Sequence, residues 1–414
     1  MATLKPFRGI RPVKEKVQQI ASKPYDVLNE KEARFEAGDN KNSFYHVIKP
    51  EIDFPDEFDH YAPEIYKKGK ENMDRMIREG IFFQDKQECY YIYRQTMDGR
   101  SQDGIVGSAS VADYFNDIIK KHELTRPDKE EDRKNHVRVS QMNYEPVFFA
   151  YPNVHELDVL VNKVKTATPE YDFVSEDGIG HTFWVVSDAD IIQKITAYFS
   201  NIKFTYVADG HHRTAAAALV GKEMQQKNPN HTGNEEYNFF LAVHFPDNQL
   251  KIFDYNRVVK DLNGLSENDF MKKIGENFEI TETGIEAHRP EKLHNFGMYL
   301  NKKWYSLTSK PGTYNDHDPI GVLDVTILSE KILAPVLNIK DLRTDKRIEF
   351  VGGIRGLGEL EKRVNSGEMK VAFALHAVSM KQLIDIADSG NIMPPKTTWF
   401  EPKLRSGLVV HSLL

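Results

Sequence analysis

The sequence predicts a mixed α/β fold, on the evidence of two adjacent local patterns and of the order of elements along the chain. Apolar side chains alternate with others over residues 202–208, which is typical of a half-buried strand. This strand leads through Asp209-Gly210 into an alanine-rich helix over residues 215–227, where intrinsic helix propensity is high. Strands and helices alternate through the whole middle of the chain, as they do in α/β proteins.

The first hundred residues predict four elements in order. They are a short helix over residues 29–36, a strand over 43–49, a charged helix over 62–79 and a strand over 88–96. The strand over 43–49 is predicted because Phe44, Tyr45, Val47 and Ile48 make it strongly apolar. The fourth element is closed by the turn residues Asp98-Gly99.

The rest of the chain predicts further strands and helices in alternation. Strands are expected over residues 108–114, 146–151, 239–245, 297–300, 304–307, 348–351 and 371–375, and helices over 133–142, 191–199, 326–337 and 380–387. We therefore predict an N-terminal α/β region (1–105), a middle α/β domain (106–262) and a C-terminal α+β region (263–414).

Composition excludes several classes of protein. Of 414 residues, 55 are Lys or Arg and 62 are Asp or Glu, so the net charge of −7 argues against a protein that coats nucleic acid or anionic lipid. The single cysteine, Cys89, excludes a disulfide framework and a cysteine-ligated zinc cluster. No apolar run has the 18 or so residues of a membrane span, so no membrane partner is expected. A reducing, cytoplasmic location is the expectation.

The sharpest functional signal is the turn from Asp209 to Thr214. A helix that begins directly after a glycine turn presents unpaired N–H groups and the positive end of its dipole, which suits an anion. Gly210 allows a positive φ and a close ligand, and Arg213 adds a planar fork for phosphate or carboxylate oxygens.

The same turn contains two adjacent histidines. His211 and His212 can hydrogen-bond oxygens, while Asp209 is able to hold Mg²⁺ or to cap the helix. The alternative is an ordinary aspartate cap beside two surface histidines. A zinc site is disfavoured, because helical neighbours point about 100° apart and no histidine lies at i+4 to share a face.

A second candidate is the polar segment from His122 to Arg133. Glu123 is a candidate to orient or deprotonate a hydroxyl, the role of carboxylates in phosphoryl transfer. His122 and Arg126 are possible substrate or phosphate contacts in the same segment. The alternative is a solvated charged loop.

A third candidate is the tail over residues 394–407. Lys396, Lys403 and Arg405 lie there near Trp399 and Phe400. Aromatic rings between basic residues can stack on and pair with a nucleotide, so Lys396 and Lys403 are possible phosphate contacts. The same residues fit equally well a terminal strand that packs on the protein with its lysines in solvent.

The whole chain resembles the bacterial and archaeal family known as domain of unknown function 1015. The matching pieces occur in order along nearly the full length: Pro6-Phe7-Arg8-Gly9, Pro24-Tyr25-Asp26-Val27, His122-Glu123-Leu124-Thr125, Asp132-Arg133, Ala208 to Arg213 and Met393 to Leu408. The middle domain is also similar to the ParB/sulfiredoxin-like fold. In that fold a strand–turn–helix with an arginine holds a nucleotide phosphate.

The resemblance implies a function. Free-serine kinases are built on the same fold, and members of the family have been linked to nucleotide-dependent phosphorylation of free L-serine. By this resemblance Gly210, His211, Arg213 and Thr214 would hold the phosphates of ATP or ADP. Glu123 would be the base on the serine hydroxyl. Asp209, with Mg²⁺, and His212 would complete the catalytic group.

Two other functions stay open at this stage. A nucleotide-binding regulator of the ParB kind would keep the turn, but the net charge and the absence of a recognisable helix-turn-helix segment count against DNA binding. A metabolite sensor without chemistry would also keep the turn. A homodimer is possible on this sequence and is not predicted by any single feature.

Overall fold

The computed structural model describes all residues from 1 to 414 and confirms the mixed α/β class. The chain forms two compact units. Unit 1 comprises Met1–Leu250 together with Pro402–Leu414, and unit 2 comprises Lys251–Glu401. This division differs from the three regions predicted from the sequence. Residue 105, the first predicted boundary, lies inside a long strand whose hydrogen bonds join both sides of it into one sheet.

Unit 1 contains most of the helices and strands. Its strands are β1 (Leu4–Lys5), β2 (Ile10–Pro12), β3 (Phe82–Gln84), β4 (Tyr90–Met97), β5 (Arg100–Ser110), β6 (Ile119–Lys120), β7 (Met142–Asn143), β8 (Val147–Tyr151), β9 (Tyr171–Val174), β10 (Gly180–Val186), β11 (Thr205–Asp209), β12 (Phe239–Pro246) and, after unit 2, β21 (His411–Ser412). Its helices are α1 (Val17–Ile20), α2 (Glu30–Ala37), α3 (Tyr45–Ile48), α4 (Pro63–Arg78), α5 (Val111–Phe115), α6 (Pro127–Ser140), α7 (His155–Val164), α8 (Ala189–Phe199) and α9 (His211–Lys227).

A nine-stranded sheet organises unit 1. Its order is β6-β11-β8-β12-β5-β4-β10-β9, with β1 paired to β5. The pairs β6–β11 and β8–β12 are parallel, and every other pair in this sheet is antiparallel. Because β6 and β11 run in the same direction, the segments that follow them leave the sheet at the same edge.

Two apolar clusters lie side by side on one face of this sheet. One packs α7 and α8 against Trp184 and Tyr151, and the other packs α5 and α9 against Phe149 and Val207. The alanine-rich side of α9 suits this position, since small side chains let the helix approach the strands closely. On the opposite face, Tyr91 accepts a hydrogen bond from the Gly9 amide at 2.9 Å.

Unit 2 is a smaller α+β unit. Its strands are β13 (Ile252–Phe253), β14 (Tyr255–Val259), β15 (Phe278–Gly284), β16 (Asn295–Leu300), β17 (Lys303–Ser309), β18 (Ile348–Gly352), β19 (Val371–Ala374) and β20 (Trp399–Phe400), and its helices are α10 (Glu267–Ile274), α11 (Asp324–Leu328), α12 (Leu357–Asn365) and α13 (Met380–Asp388). Six strands form an antiparallel sheet in the order β15-β17-β16-β19-β14-β18. In the whole chain, no helix combines the length and the apolar character that crossing a membrane requires.

The prediction of a strand over residues 43–49 is wrong. The segment forms α3, and Phe44, Tyr45, Val47 and Ile48 are all buried in a core with α4. A short continuous apolar run fits a fully buried helix as well as a buried strand, so periodicity could not separate the two.

The predicted strand over residues 108–114 is also wrong in its second half. The strand β5 ends at Ser110, whose hydroxyl accepts a hydrogen bond from the Asp113 amide at 3.4 Å and so caps α5. A serine followed by an acidic residue in the first turn is a helix-start signal that the apolar pattern concealed.

Candidate active site

The candidate site begins where β11 ends and α9 starts. The register of β11 against β8 shifts between Val207 and Asp209, which indicates a bulge at the end of the strand. Such bulges re-aim the side chains beside them. Gly210 follows with φ +90°, a left-handed conformation that favours glycine, and α9 then starts at His211.

The start of α9 has the properties expected of an anion site. No side chain caps it, so the first backbone N–H groups of this 17-residue helix are not satisfied by a capping residue. Gly210 also fills a tight position, because a Cβ there would lie 3.1 Å from Nη2 of Arg213. A side chain at this position would therefore both strain the turn and press on the arginine.

Asp209 lies between two cations at this turn. Its Oδ2 atom is 3.3 Å from Nζ of Lys403 and 3.6 Å from Nη2 of Arg213. Burial acts to raise the pKa of the Asp209 carboxyl, but the charges of Lys403 and Arg213 outweigh it and hold the pKa below its usual range. The carboxylate is thus ionised at neutral pH. Lys403, one of the predicted tail residues, is brought to the turn.

Arg213 lies under the turn and is not presented as an open fork. The residue is 7% exposed, and its Nη1 donates a hydrogen bond to the Pro146 carbonyl oxygen at 2.7 Å. Burial opposes its charge, but the carboxylates of Asp26, Glu145 and Asp209 outweigh burial and raise its pKa. Its positive charge therefore lies beneath the first turn of α9. A direct contact with phosphate stays a prediction.

Glu123 reaches the same turn from a distant part of the sequence. It follows β6, and β6 pairs in parallel with β11, so both segments leave the same edge of the sheet. Its Oε2 lies 3.9 Å from Nδ1 of His211, with the Glu123 side chain 35% exposed. The carboxylate predicted as the base therefore faces the predicted phosphate-binding turn.

The rings of His122 and His211 pack edge to face close to Glu123. Their centroids are 4.5 Å apart at an interplanar angle of 88°. Burial lowers the pKa of His211 to about 4 against the opposing charge of Asp209, and burial followed by His211 lowers the pKa of His122 well below its usual value. Both imidazoles are therefore neutral at neutral pH. Both residues were predicted as site residues from the sequence, but their contact with each other was not predicted.

His212 and Arg126 connect the two segments. The Arg126 backbone N–H donates a hydrogen bond to Nε2 of His212 at 3.0 Å. This contact fastens the residue before α6 to the first turn of α9. The Arg126 side chain is 62% exposed and pairs with Asp128 at 2.8 Å, so in this state its guanidinium is directed to its own helix start.

Two other residues predicted to contact the ligand, Thr214 and Lys396, have partners of their own within the protein. The hydroxyl of Thr214 is buried and donates to the Gly210 carbonyl at 3.0 Å, so it closes the first turn of α9. Lys396 belongs to unit 2, where its Nζ lies 5.9 Å from the ring centroid of Tyr255. The roles of both residues toward a ligand stay predictions.

Comparison with known proteins supplies the family. The family model described as "Protein of unknown function (DUF1015)" matches residues 4–326. The chain belongs to this family. The matched range contains Glu123 and the whole Asp209 to Thr214 turn of the DUF1015 chain, while Lys396 and Lys403 lie beyond it. No curated protein matches the DUF1015 chain.

Several solved structures are similar to the DUF1015 chain at low identity, each aligned over 74% of it. A free serine kinase in complex with AMP is 14% identical, with a TM-score of 0.34 and 91% of its own length covered. SbnI with a C-terminal truncation, from Staphylococcus aureus, is 13% identical, with a TM-score of 0.40 and 87% of its length covered. A conserved hypothetical protein from Pyrococcus furiosus is 15% identical, with a TM-score of 0.35 and 95% of its length covered.

The DUF1015 chain also has a buried charged cluster beneath the turn, whose residues were not predicted as site residues from the sequence. The guanidinium of Arg133 lies 3.9 Å from the ring centroid of Tyr25, and its Nη1 is 3.6 Å from Oε2 of Glu145. The Tyr25 amide donates to Oε1 of Glu145 at 3.0 Å. Burial raises the pKa of Glu145, against the opposing charges of Arg213 and Arg133.

This cluster borders a small cavity. Arg133, Glu145 and Arg213 line a space of about 40 Å³, which suits one or a few water molecules. The signal for the cluster was present in the sequence, because Tyr25 and Arg133 lie in motifs that match the family. Tyr25 and Arg133 lie in motifs that are far apart in the sequence, so no local spacing could predict that they contact each other.

Proposed function

We propose that this protein is a nucleotide-dependent kinase that phosphorylates the hydroxyl group of a free small molecule, with L-serine as the expected acceptor. One observation carries the proposal: Glu123 lies opposite the uncapped start of α9, with its Oε2 atom 3.9 Å from Nδ1 of His211. A kinase for a small alcohol needs a phosphate site and a carboxylate within reach of the acceptor hydroxyl, and the uncapped start of α9 and Glu123 are the candidates for these two parts. The acceptor itself comes from the family resemblance.

The start of α9 would bind the nucleotide phosphates. Its backbone N–H groups and dipole favour negative charge, and the cationic side chains of Lys403 and Arg213 add to the local positive field. Phosphoryl transfer depends mainly on positioning and on neutralising charge on the transferred group. The rigid connection from strand to helix supplies the positioning.

Glu123 would act on the acceptor. As the acceptor hydroxyl oxygen bonds to the terminal phosphorus, its proton passes to the Glu123 carboxylate. The bond between that phosphorus and the bridging oxygen breaks, and its electron pair leaves with the shortened nucleotide. His212 holds the segment after Glu123 through the Arg126 amide, so we assign it a positioning role.

Asp209 would hold Mg²⁺ in this kinase. Mg²⁺ in nucleotide sites is bound by one or two carboxylates together with phosphate oxygens, and the ionised Asp209 carboxylate at the end of β11 fits that donor set. When bound, the ion supplies charge neutralisation at the phosphates. Lys403 keeps the Asp209 carboxylate in place beside the helix start.

Product analysis tests the proposal. Purified protein is incubated with Mg²⁺ and a mixture of free amino acids, with ATP and ADP in parallel reactions, and phosphorylated products are identified by mass spectrometry. Phosphoserine that depends on both protein and nucleotide is the expected result. No phosphorylated product with either nucleotide would overturn the kinase and favour a nucleotide-binding regulator or sensor.

The substitution Glu123→Gln tests the role of the carboxylate. We expect turnover to fall by roughly 10²- to 10⁴-fold, the range for losing a general base, while nucleotide affinity stays within about twofold. Glu64→Gln, at an exposed position on α4, is the matched control and should behave as the wild type. An unchanged rate in Glu123→Gln would remove this residue from the chemistry.

A further inference from the structure

The side chain of His122 is unusual for a buried residue. It is 1% exposed, yet neither ring nitrogen has a hydrogen-bond partner. Buried polar groups are almost always paired, and each exception calls for an explanation such as a bound water or ion. Since burial keeps this imidazole neutral, at least one of its nitrogens has a lone pair that nothing in the fold uses.

His211 has the same property. Its Nε2 atom is buried without a partner, and its Nδ1 lies 3.9 Å from Oε2 of Glu123. One ligand atom from each of His122, Glu123 and His211 can be chosen so that all three lie within 4.8 Å of one another. An imidazole with no hydrogen-bond partner, a second imidazole with one unpartnered nitrogen and a carboxylate thus lie around one point.

We propose that His122, Glu123 and His211 form a binding site for a divalent transition metal ion of the zinc class. Two imidazoles with one carboxylate are a known ligand set of catalytic zinc sites, which leave a fourth position open to water or substrate. Neutral imidazole is the form that binds such metals, because a protonated ring has no free lone pair.

The geometry needs a small closure. Ligand atoms about 2.0–2.2 Å from a common ion lie roughly 3.4 Å apart in a tetrahedron, and the three atoms here lie within 4.8 Å of one another, so the trio must draw in by up to about 1.4 Å. Glu123 can supply most of this movement, because its side chain is partly exposed and follows the two-residue strand β6. The two histidines are fixed by burial and form the rigid part of the site.

This site is distinct from the Mg²⁺ expected at Asp209. Nitrogen ligands select zinc-class ions, whereas Mg²⁺ prefers oxygen ligands. The inference goes beyond the kinase and does not require it. The two roles of Glu123 are compatible, since one carboxylate oxygen can bind the ion while the other faces an acceptor hydroxyl.

Metal titration without nucleotide or amino acid tests the inference. Protein freed of metal by chelator dialysis is titrated with Co²⁺, and the visible d–d absorption of the ion is followed. We expect one Co²⁺ per chain with the spectrum of a four- or five-coordinate nitrogen–oxygen site, and competitive displacement by Zn²⁺. A wild-type protein that binds no Co²⁺ or Zn²⁺ would overturn the site, whatever its kinase activity.

Single substitutions locate the ion. Glu123→Gln, His122→Asn and His211→Asn should each weaken Co²⁺ binding at least about 100-fold, since even losing a hydrogen-bond partner of a metal ligand costs up to that factor. His231→Asn is the control, because His231 contacts Glu235 at 3.0 Å in a histidine–carboxylate pair outside the trio. Equal Co²⁺ binding by all four variants would place the ion elsewhere and refute the assignment. Glu123→Gln keeps the test decisive if a buried histidine variant fails to fold.

Discussion

Two successive helices of unit 1, α8 and α9, begin in opposite ways. The start of α8 is capped by its own sequence, with Oδ1 of Asp188 accepting a hydrogen bond from the Ile191 amide at 3.0 Å. The start of α9 follows Gly210, which has no side chain to cap it. Both helices pack on the same face of the sheet, so packing does not account for the difference. The contrast teaches that one helix start is capped by a side chain of its own sequence, whereas the other has no side-chain cap.

The two helix starts also differ in burial and in the charges that surround them. Asp188 is exposed, and the first turn of α8 faces solvent. At α9, His211 and Arg213 are buried, and charges from Asp209 and Lys403 surround the turn. Stability at α8 should therefore depend on one hydrogen bond, whereas stability at α9 should depend on a balance of buried charges. Four substitutions test this contrast, from the largest expected effect to the smallest.

The largest loss is expected for Arg213→Met. Removing this guanidinium takes one of two neighbouring cations from each of the Asp209 and Glu145 carboxylates, which then keep only Lys403 and Arg133. Breaking a buried ion pair costs about 3–5 kcal/mol. The free energy of unfolding in urea measures the loss. Arg213→Lys is the control, because it retains the charge and should recover part of the stability. A loss below about 1 kcal/mol in Arg213→Met would show that the charge balance is not needed.

His211 gives a pH-dependent effect. Its folded-state pKa is lowered to about 4, so between pH 6.5 and 4 the unfolded chain takes up a proton that the folded chain does not. The contribution of neutral His211 to the free energy of unfolding is complete above pH 6.5. It decreases as the pH falls through this window, by up to roughly 3 kcal/mol in total. His211→Asn should reduce the pH slope of the unfolding free energy in that range. An unchanged slope would contradict a neutral buried imidazole at the start of α9.

Gly210→Ala should have a moderate effect on folding and a clear one on binding. A left-handed conformation costs a non-glycine residue about 1–2 kcal/mol, and the new Cβ would press on Arg213. We expect that loss in thermal unfolding, together with at least about tenfold weaker binding of ADP by calorimetry. Wild-type ADP affinity in a folded Gly210→Ala protein would show that the phosphates bind elsewhere.

Asp188→Ala is the counterpart at α8 and should have the smallest effect. Losing a capping side chain costs about 1 kcal/mol. Nucleotide affinity should not change, because α8 presents no open helix start. If ADP binding fell in this variant as much as in Gly210→Ala, the contrast between the two helix starts would have no functional meaning.

Much of the fold was predictable where short-range patterns agree with tertiary contacts. The alternating residues 202–208, the glycine turn and the alanine-rich helix predicted β11 and α9. The segment 43–49 was not predictable, because its apolar residues are buried on all sides and lose the period that separates strands from helices. The ParB/sulfiredoxin-like assignment of the middle region stays a prediction.

The candidate site was predictable in its parts and not in its assembly. Glu123 and the 209–214 turn were each found from residue type and local order. Their proximity depends on the parallel pairing of β6 with β11, and β6 has only two residues, too few to give a pattern. The convergence of His122 with His211 has the same origin, which is why helix spacing alone argued against a zinc site.

The return of the chain to unit 1 has a consequence for biosynthesis. Residues 402–414 complete a unit whose other 250 residues are made first, and all of unit 2 is translated in between. Lys403, the partner of the Asp209 carboxylate, therefore leaves the ribosome only after the whole of unit 2 has done so. A nascent chain that has not yet reached residue 403 would have the turn without its lysine, so charge neutralisation at Asp209 has to wait until unit 2 has been translated.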